Sequence, residues 1–385
     1  MSEGLCQTGF AMRRRASRQS SGGVSNPGAV VKGGDAVLVK EAPRSQWLGS
    51  GGRRLDVFVC LHLLFGSQLG VVLATRPGKL AALAGFSVLG HRLVTFRRWR
   101  DETEHAKRFF RAFFVLVLWL GFENCMIWAV SASDKNRETP MPALQDNVVE
   151  LYYKLLNWLP PTPRGWLVYA FEHEWISIKE KLVALIALGF ASVFDEVPFS
   201  GFGMCTRVVV CITGARAIRT AAFLMTIIPS PRPGPPTCFQ RRFPPVPDTW
   251  LAFFKIGFAK LRSGGGCNDL ILSGHGVIYS AVVAAFQEFF PHSWATPLLW
   301  LALARSNLRA ALTLQHYSVD MFLATTVTVL TFKACEHVYP TQESRLKARP
   351  PGSPPDPKGP LQWALTAAVF AVLGVLAIII IAGGA

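Results

Sequence analysis

Charge is what this chain has least of. Only 17% of its 385 residues are Asp, Glu, Lys or Arg, where a soluble domain usually carries about a quarter. Half of the residues are apolar, so the deficit excludes an ordinary soluble enzyme and points to a membrane protein. Acidic residues are scarcer still, 24 against 40 basic ones, for a net charge of +16. The basic residues lie mainly in loops between apolar runs, and no nucleic-acid motif accompanies them. The excess therefore fits anionic lipid headgroups and phosphate-bearing substrates, not nucleic acid. Paired cysteines are also missing. The eight cysteines form no C-x-x-C pair and no zinc spacing, which excludes the common structural zinc modules. "EHE" at 172–174 lacks the spacing of a metalloprotease helix.

Long apolar runs are what the chain has instead. Residues 1–54 hold none and are rich in Gly, Ser and Arg. They read as a disordered basic arm, with an organellar transit peptide as the alternative. The region 55–175 carries apolar runs at 55–74, 80–96 and 109–132. It also holds an amphipathic stretch, 149–159, that ends at Pro160-Pro161 and predicts a helix lying in the interface. Further spans are predicted at 176–194, 205–228, 271–290, 296–313 and 319–335, so that 176–340 forms the catalytic core. A Pro-rich linker over 341–360 cannot continue a helix, and 361–385 is an uncharged final span. Only helices and closed barrels satisfy backbone polar groups in lipid. These runs are too long and too uniformly apolar for barrel strands, so the fold class is all-α, a polytopic helical membrane bundle.

Ionisable groups are costly at membrane depth and mark function by default. "LQHYSVDMF" (314–322) sets His316 and Asp320 four residues apart at the mouth of a span. "CNDLILSGHGVIYS" (267–280) sets His275 at the mouth of another, and "RTAAFLMTIIPSP" (219–231) closes a third. Alternation of the spans brings all three ends to one face. The chemistry such a set performs is phosphoryl transfer through a phosphohistidine. His316 is the nucleophile, Asp320 holds the proton on its other ring nitrogen, and His275 is the general acid for the leaving alkoxide. No metal or cofactor enters this scheme. The Ser273-Gly274 step lets backbone approach an anion at a helix start. Arg309, His316 and Asp320 share one face if the helix continues, which makes Arg309 a phosphate clamp, with Arg305 a turn earlier. Asp269 either caps the following helix or meets a headgroup. Arg216 reads as an interface anchor, and Glu123 as a residue near the end of its span.

Residues 205–335 resemble the superfamily of type 2 phosphatidic acid phosphatases, and within it the sphingomyelin synthase and inositol-phosphorylceramide synthase branch. The resemblance rests on Cys267-Asn268-Asp269 followed by Ser273-Gly274-His275, on His316-Tyr317-Ser318-Val319-Asp320, and on Arg219 with Pro229 and Pro231. Asn268 stands where that branch has Gly, and Gly276 where Thr or Val is usual. The Lys-x6-Arg-Pro motif and the Ser-Arg before the second histidine are missing, which favours the synthase-like branch over a simple phosphatase. The resemblance implies a six-helix core, a His-His-Asp triad on a non-cytosolic face, and Arg219 as a phosphate ligand. It implies a phospholipid donor and a diacylglycerol or ceramide acceptor. In that branch cysteines stand near Cys238 and Cys267, which implies a disulfide in an oxidising lumen or else two free thiols. The basic loop on the catalytic side would by itself place that side inward, against the family topology. The expected location is the ER or Golgi, with a plastid membrane as the alternative.

Overall fold

The computed structural model describes the chain mainly over residues 90–133, 142–173, 197–232, 270–344 and 354–382. The expected arm, the spans at 55–74 and 176–194, most of the run at 80–96, and Cys238, Cys267 and Asp269 lie outside the described residues. Among the described residues the fold is an all-α membrane bundle. Its helices are α1 (Trp99–Ser133), α2 (Asn147–Trp158), α3 (Pro161–Glu172), α4 (Gly201–Met225), α5 (Gly274–Phe289), α6 (Ala295–Leu312), α7 (Ser318–Ala334) and α8 (Pro360–Ala382). Among the described residues, three stretches are long and apolar enough to cross a membrane, Trp99–Val130, Gly201–Met225 and Ser318–His337.

Two boundaries differ from the sequence expectation. Helix α1 begins ten residues before the apolar run, within "WRDETEHAKR". Hydropathy marks the part of a helix that meets lipid, not the part that is hydrogen-bonded, and Asp101 and Glu102 suit a first turn. Glu102 is buried, and it explains the extension. It accepts from Ser200 Oγ at 2.7 Å, Gly201 N–H at 2.9 Å and Phe202 N–H at 3.2 Å. It thus satisfies orphan donors at the start of α4 and ties α1 to it. The second difference is α3. Pro160-Pro161 stops α2 as expected, but Pro161 also opens a new helix, because its fixed φ and missing N–H suit the first helical position.

Helix α4 runs through the centre, flanked by α1, α5 and α7. Its buried Val208, Cys211, Ile212 and Ala215 share one apolar core with Val277, Ala281, Ala285 and Phe286 of α5. Small residues set the approach of α5 to α7. A Cβ placed on Gly276 would sit 2.9 Å from Ala324 Cβ and 3.3 Å from Met321 Cε. This is close packing of the kind that brings helices together in lipid, where apolar burial gives no preference for protein over acyl chains. The Thr or Val usual at position 276 would collide there. Large apolar side chains remain exposed on the bundle surface, including Phe114, Leu301, Phe322 and Leu330, as a lipid-facing surface requires.

Helices α2 and α3 form a hairpin beside α6. Asp146 caps α2 by accepting from Val148 and Val149 N–H. Tyr152 and Leu156 pack on Leu312, with Leu308, Val168 and Phe171 around them. Tyr152 O–H donates to Glu172 Oε1 at 3.2 Å, joining the two helices. Burial, then the Glu172 charge, pushes the Tyr152 phenol up to about 12. The other side of the hairpin exposes Leu151, Trp158 and Trp166. That apolar, Trp-bearing face fits the interface position expected for 149–159.

Candidate active site

The site forms where α6 turns into α7. Helix α6 ends in a Schellman motif. Leu314 N–H donates to Ala311 O at 2.9 Å and Gln315 N–H to Ala310 O at 3.0 Å. Leu314 takes φ 54°, the left-handed conformation that usually selects Gly. His316 N–H reaches the same Ala310 carbonyl at 3.2 Å, and α7 starts at Ser318. His316 therefore sits in a tight connection and not on a helix shared with Asp320. The single face expected for Arg309, His316 and Asp320 does not form. Arg309 Nε donates to Glu172 O at 3.0 Å, and Arg305 Nε to Ala170 O at 2.8 Å, with a further bond to His173 O. The two guanidinium groups are engaged with the carboxyl end of α3, where helix carbonyls carry partial negative charge.

The connection still brings the imidazole to the carboxylate. His316 Nδ1 lies 3.6 Å from Asp320 Oδ2. That is beyond hydrogen-bond range, and the same oxygen accepts Tyr317 N–H at 3.1 Å. Asp320 is buried and so serves two ends, the start of α7 and the His316 ring. The other ring nitrogen, Nε2, lies 3.3 Å from Ser273 Oγ. Ser273 caps α5 by accepting Gly276 N–H at 3.3 Å. Its hydroxyl proton is then free to point at Nε2. A proton on Nδ1 faces the Asp320 carboxylate without a hydrogen bond to it, and that tautomer leaves the lone pair on Nε2 toward Ser273. His275 stands exposed on the first turn of α5, two residues beyond Ser273.

Beneath the start of α5 lies a cluster that the sequence reading did not assemble. Glu123 of α1 is fully buried. Arg216 Nε donates to its Oε2 at 2.7 Å, and Arg219 Nη1 pairs with its Oε1. Arg219 Nε also donates to Leu272 O at 2.6 Å, bracing the strand of chain just before Ser273. A Cβ on Gly274 would meet Arg216 Nη1 at 3.1 Å, so the glycine is what lets the Arg216 guanidinium lie against the Ser273-Gly274-His275 step. Two guanidinium groups share the Glu123 carboxylate beside the start of α5. Arg216 is thus no interface anchor, and Glu123 sits well inside its helix. Their signal in the sequence was the intramembrane acid itself, which demands a partner.

Three further residues hold the His316 turn. Asp146 accepts Ser318 N–H at 2.7 Å and Ser318 O–H at 2.9 Å while capping α2. Tyr317 O–H donates to Pro229 O at 3.0 Å and accepts Leu144 N–H at 3.0 Å. Burial raises the Tyr317 phenol above its ordinary range. The Leu144 N–H opposes this and the Asp320 and Asp146 charges add to it, so the phenol stays a neutral donor. Arg232 donates to Leu314 O at 3.1 Å and Thr313 O at 3.2 Å. Pro229, read as part of a motif with Arg219, contributes its carbonyl to this anchoring.

Two charge-bearing helix starts, a histidine between a serine and a carboxylate, and a buried arginine pair now stand at one end of the bundle. Residues 266–338 match the PAP2 superfamily C-terminal family model. The match covers Ser273, Gly274, His275, His316 and Asp320. Over an alignment of 301 residues the chain is 27% identical to the Protein PHLOEM UNLOADING MODULATOR of Arabidopsis thaliana, covering 63% of this chain and 69% of that protein. The PAP2-like part of the resemblance is thereby supported at superfamily level.

Proposed function

We propose that this chain is an integral membrane phosphotransferase or phosphatase of lipid headgroups that works through a phosphohistidine at His316. The observation that carries the reading is the placement of His316 between Ser273 Oγ at 3.3 Å and Asp320 Oδ2 at 3.6 Å. In the first step the Nε2 lone pair attacks phosphorus, and the bond from phosphorus to the lipid alkoxide breaks. The alkoxide takes a proton from His275, which acts as general acid. The Asp320 carboxylate stabilises the charge that develops on the ring. In the second step an acceptor hydroxyl attacks the phosphohistidine, His275 takes its proton, and the N–P bond breaks. Arg216 binds the equatorial oxygens from its place against Gly274, with Glu123 holding the guanidinium and Arg219 bracing the loop. Arg305 and Arg309 serve the α3 hairpin.

With water as acceptor the enzyme is a lipid phosphatase. With ceramide or diacylglycerol it is a synthase of the sphingomyelin synthase type. We propose the transfer mode, on the sequence features that separate the two branches. The test is release or transfer of headgroup from labelled phospholipid by purified protein, with and without added ceramide or diacylglycerol. His316→Ala should abolish either activity, and activity that survives the change refutes the nucleophile. A second reading, a non-catalytic membrane scaffold, draws on the relative named as a modulator of phloem unloading. Inactivity over a broad lipid panel would favour it.

A further inference from the structure

Helix α2 has three lengthwise faces, and each meets a different surrounding. Tyr152 and Leu156 are buried against Leu312 of α6 and Phe171 of α3. Glu150, Lys154 and Asn157 stand exposed on the second face, where Lys154 Nζ lies 2.7 Å from Glu150 Oε1. Val148, Leu151, Leu155 and Trp158 form the third. Their spacings of three and four residues set them in one stripe. All four are exposed, Leu151 to 68% and Trp158 to 82%. Trp166 and Tyr169 of α3 are exposed as well.

This stripe is continuous with the lipid-facing surface of the bundle. Val148 lines an apolar groove together with Leu303 of α6 and Phe322 of α7. Val319 and Phe322 are exposed at the start of a stretch able to cross a membrane. Helix α2 has 12 residues, about 18 Å at the helical rise, against a hydrocarbon core of about 30 Å. It is too short to cross the bilayer and carries a charged face. It therefore lies along the surface, with its tryptophan at headgroup level.

The same hairpin grips the chain on both sides of His316. Tyr153 O–H donates to Leu312 O at 3.4 Å on one side. On the other, Leu144 N–H donates to Tyr317 Oη at 3.0 Å, and Asp146 accepts Ser318 N–H and O–H. Arg305 and Arg309 add bonds from α6 to the carboxyl end of α3. The depth of the hairpin thus sets the depth of the catalytic turn.

We propose that the stripe of α2, with Trp166 and Tyr169 of α3, docks on the leaflet at the catalytic face, and that docking holds the His316 turn at the depth of the lipid phosphates. A surface helix of this kind buries its apolar face about 5–10 Å into the boundary between headgroups and acyl chains. A phosphate ester then meets His316 without leaving the bilayer. The consequence is selection by physical state, with bilayer-embedded substrates favoured over dispersed ones of the same headgroup. That consequence rests on the reading of the site as a lipid headgroup enzyme. The docking surface itself does not.

The test places wild-type full-length protein in nanodiscs of phosphatidylcholine that carries a diazirine either beside the glycerol or at the acyl terminus. After photolysis the labelled peptides are mapped. The shallow probe should label residues 148–169 and the terminal probe should not, whereas α7 should take both labels. Label on α7 with none on 148–169 would overturn the proposal. The Leu151→Ser/Leu155→Ser/Trp158→Ser protein should lose the shallow label from α2, and Trp158→Ser alone should lower it. In the triple variant KM for phospholipid in vesicles should rise about fivefold or more. Its kcat and KM for a short-chain phospholipid, dispersed as monomers, should not change. An equal loss on both substrates marks a merely structural hairpin and refutes the link to the turn. If the wild-type protein turns over no lipid, the headgroup-enzyme reading falls, and the labelling still decides the docking surface.

Discussion

Gly276 offers a test of the site's geometry that needs no substrate. Replacing it with Ala would put a Cβ 2.9 Å from Ala324 Cβ, well inside van der Waals contact. In an isolated helix Gly→Ala gains about 1 kcal/mol, whereas overpacking a close contact costs about 1–3 kcal/mol. The net for Gly276→Ala is then a loss of about 0–2 kcal/mol, which is too close to zero to decide the matter. The double-mutant cycle with Ala324→Gly does decide it, because moving the methyl from one helix to the other removes the collision. The expected coupling is about 1–3 kcal/mol in favour of the double variant. Unfolding of the four proteins in mixed micelles by SDS measures it. Displacement of α5 would also part Ser273 from His316, so headgroup release should fall with Gly276→Ala and return in the double variant. Coupling below about 0.5 kcal/mol would refute the close approach of α5 and α7 at this point.

Other expectations follow from the same geometry. Glu123→Gln removes the buried carboxylate that Arg216 and Arg219 share and should cost about 3–5 kcal/mol in the same SDS titration; the Glu123→Gln/Arg219→Met protein should recover part of it. Arg216→Lys keeps the charge but loses the fork, so KM for labelled phospholipid should rise with little change in stability, whereas an unchanged KM would remove Arg216 from the phosphate site. Leu314→Gly should raise stability by up to about 1 kcal/mol, since Gly takes the left-handed conformation without the strain of a side chain. Asp146→Ala removes the α2 cap and both bonds to Ser318, and should lower the unfolding midpoint by the equivalent of about 1–3 kcal/mol, with Asp146→Asn recovering part of the loss.

The sequence by itself determined the class of fold and the proximity of His316 and Asp320 at the mouth of one helix. Spans expected at 205–228, 271–290, 296–313 and 319–335 appear as helices at 201–225, 274–289, 295–312 and 318–334, because apolar runs of this length have no other stable form in lipid. His316 and Asp320 were legible as a pair, since two ionisable groups at a span's mouth call for an explanation. What the sequence left open was everything that depends on which way a long side chain reaches. Arg305 and Arg309 lie near His316 in the chain, yet their forks go to the carbonyls of α3, 135 and 137 residues earlier, on a helix that Pro161 starts instead of preventing. Arg216 and Glu123 are 93 residues apart and meet only because α1 packs along α4. The four-residue spacing of His316 and Asp320 looked like one helical turn. The tertiary structure makes it a capped turn instead, with Leu314 in a left-handed conformation and Gln315 closing α6 through its backbone. Local pattern fixes where helices run, because periodicity and hydropathy are properties of a short window. The partner of a buried charge is chosen by packing between distant windows, and no window contains it.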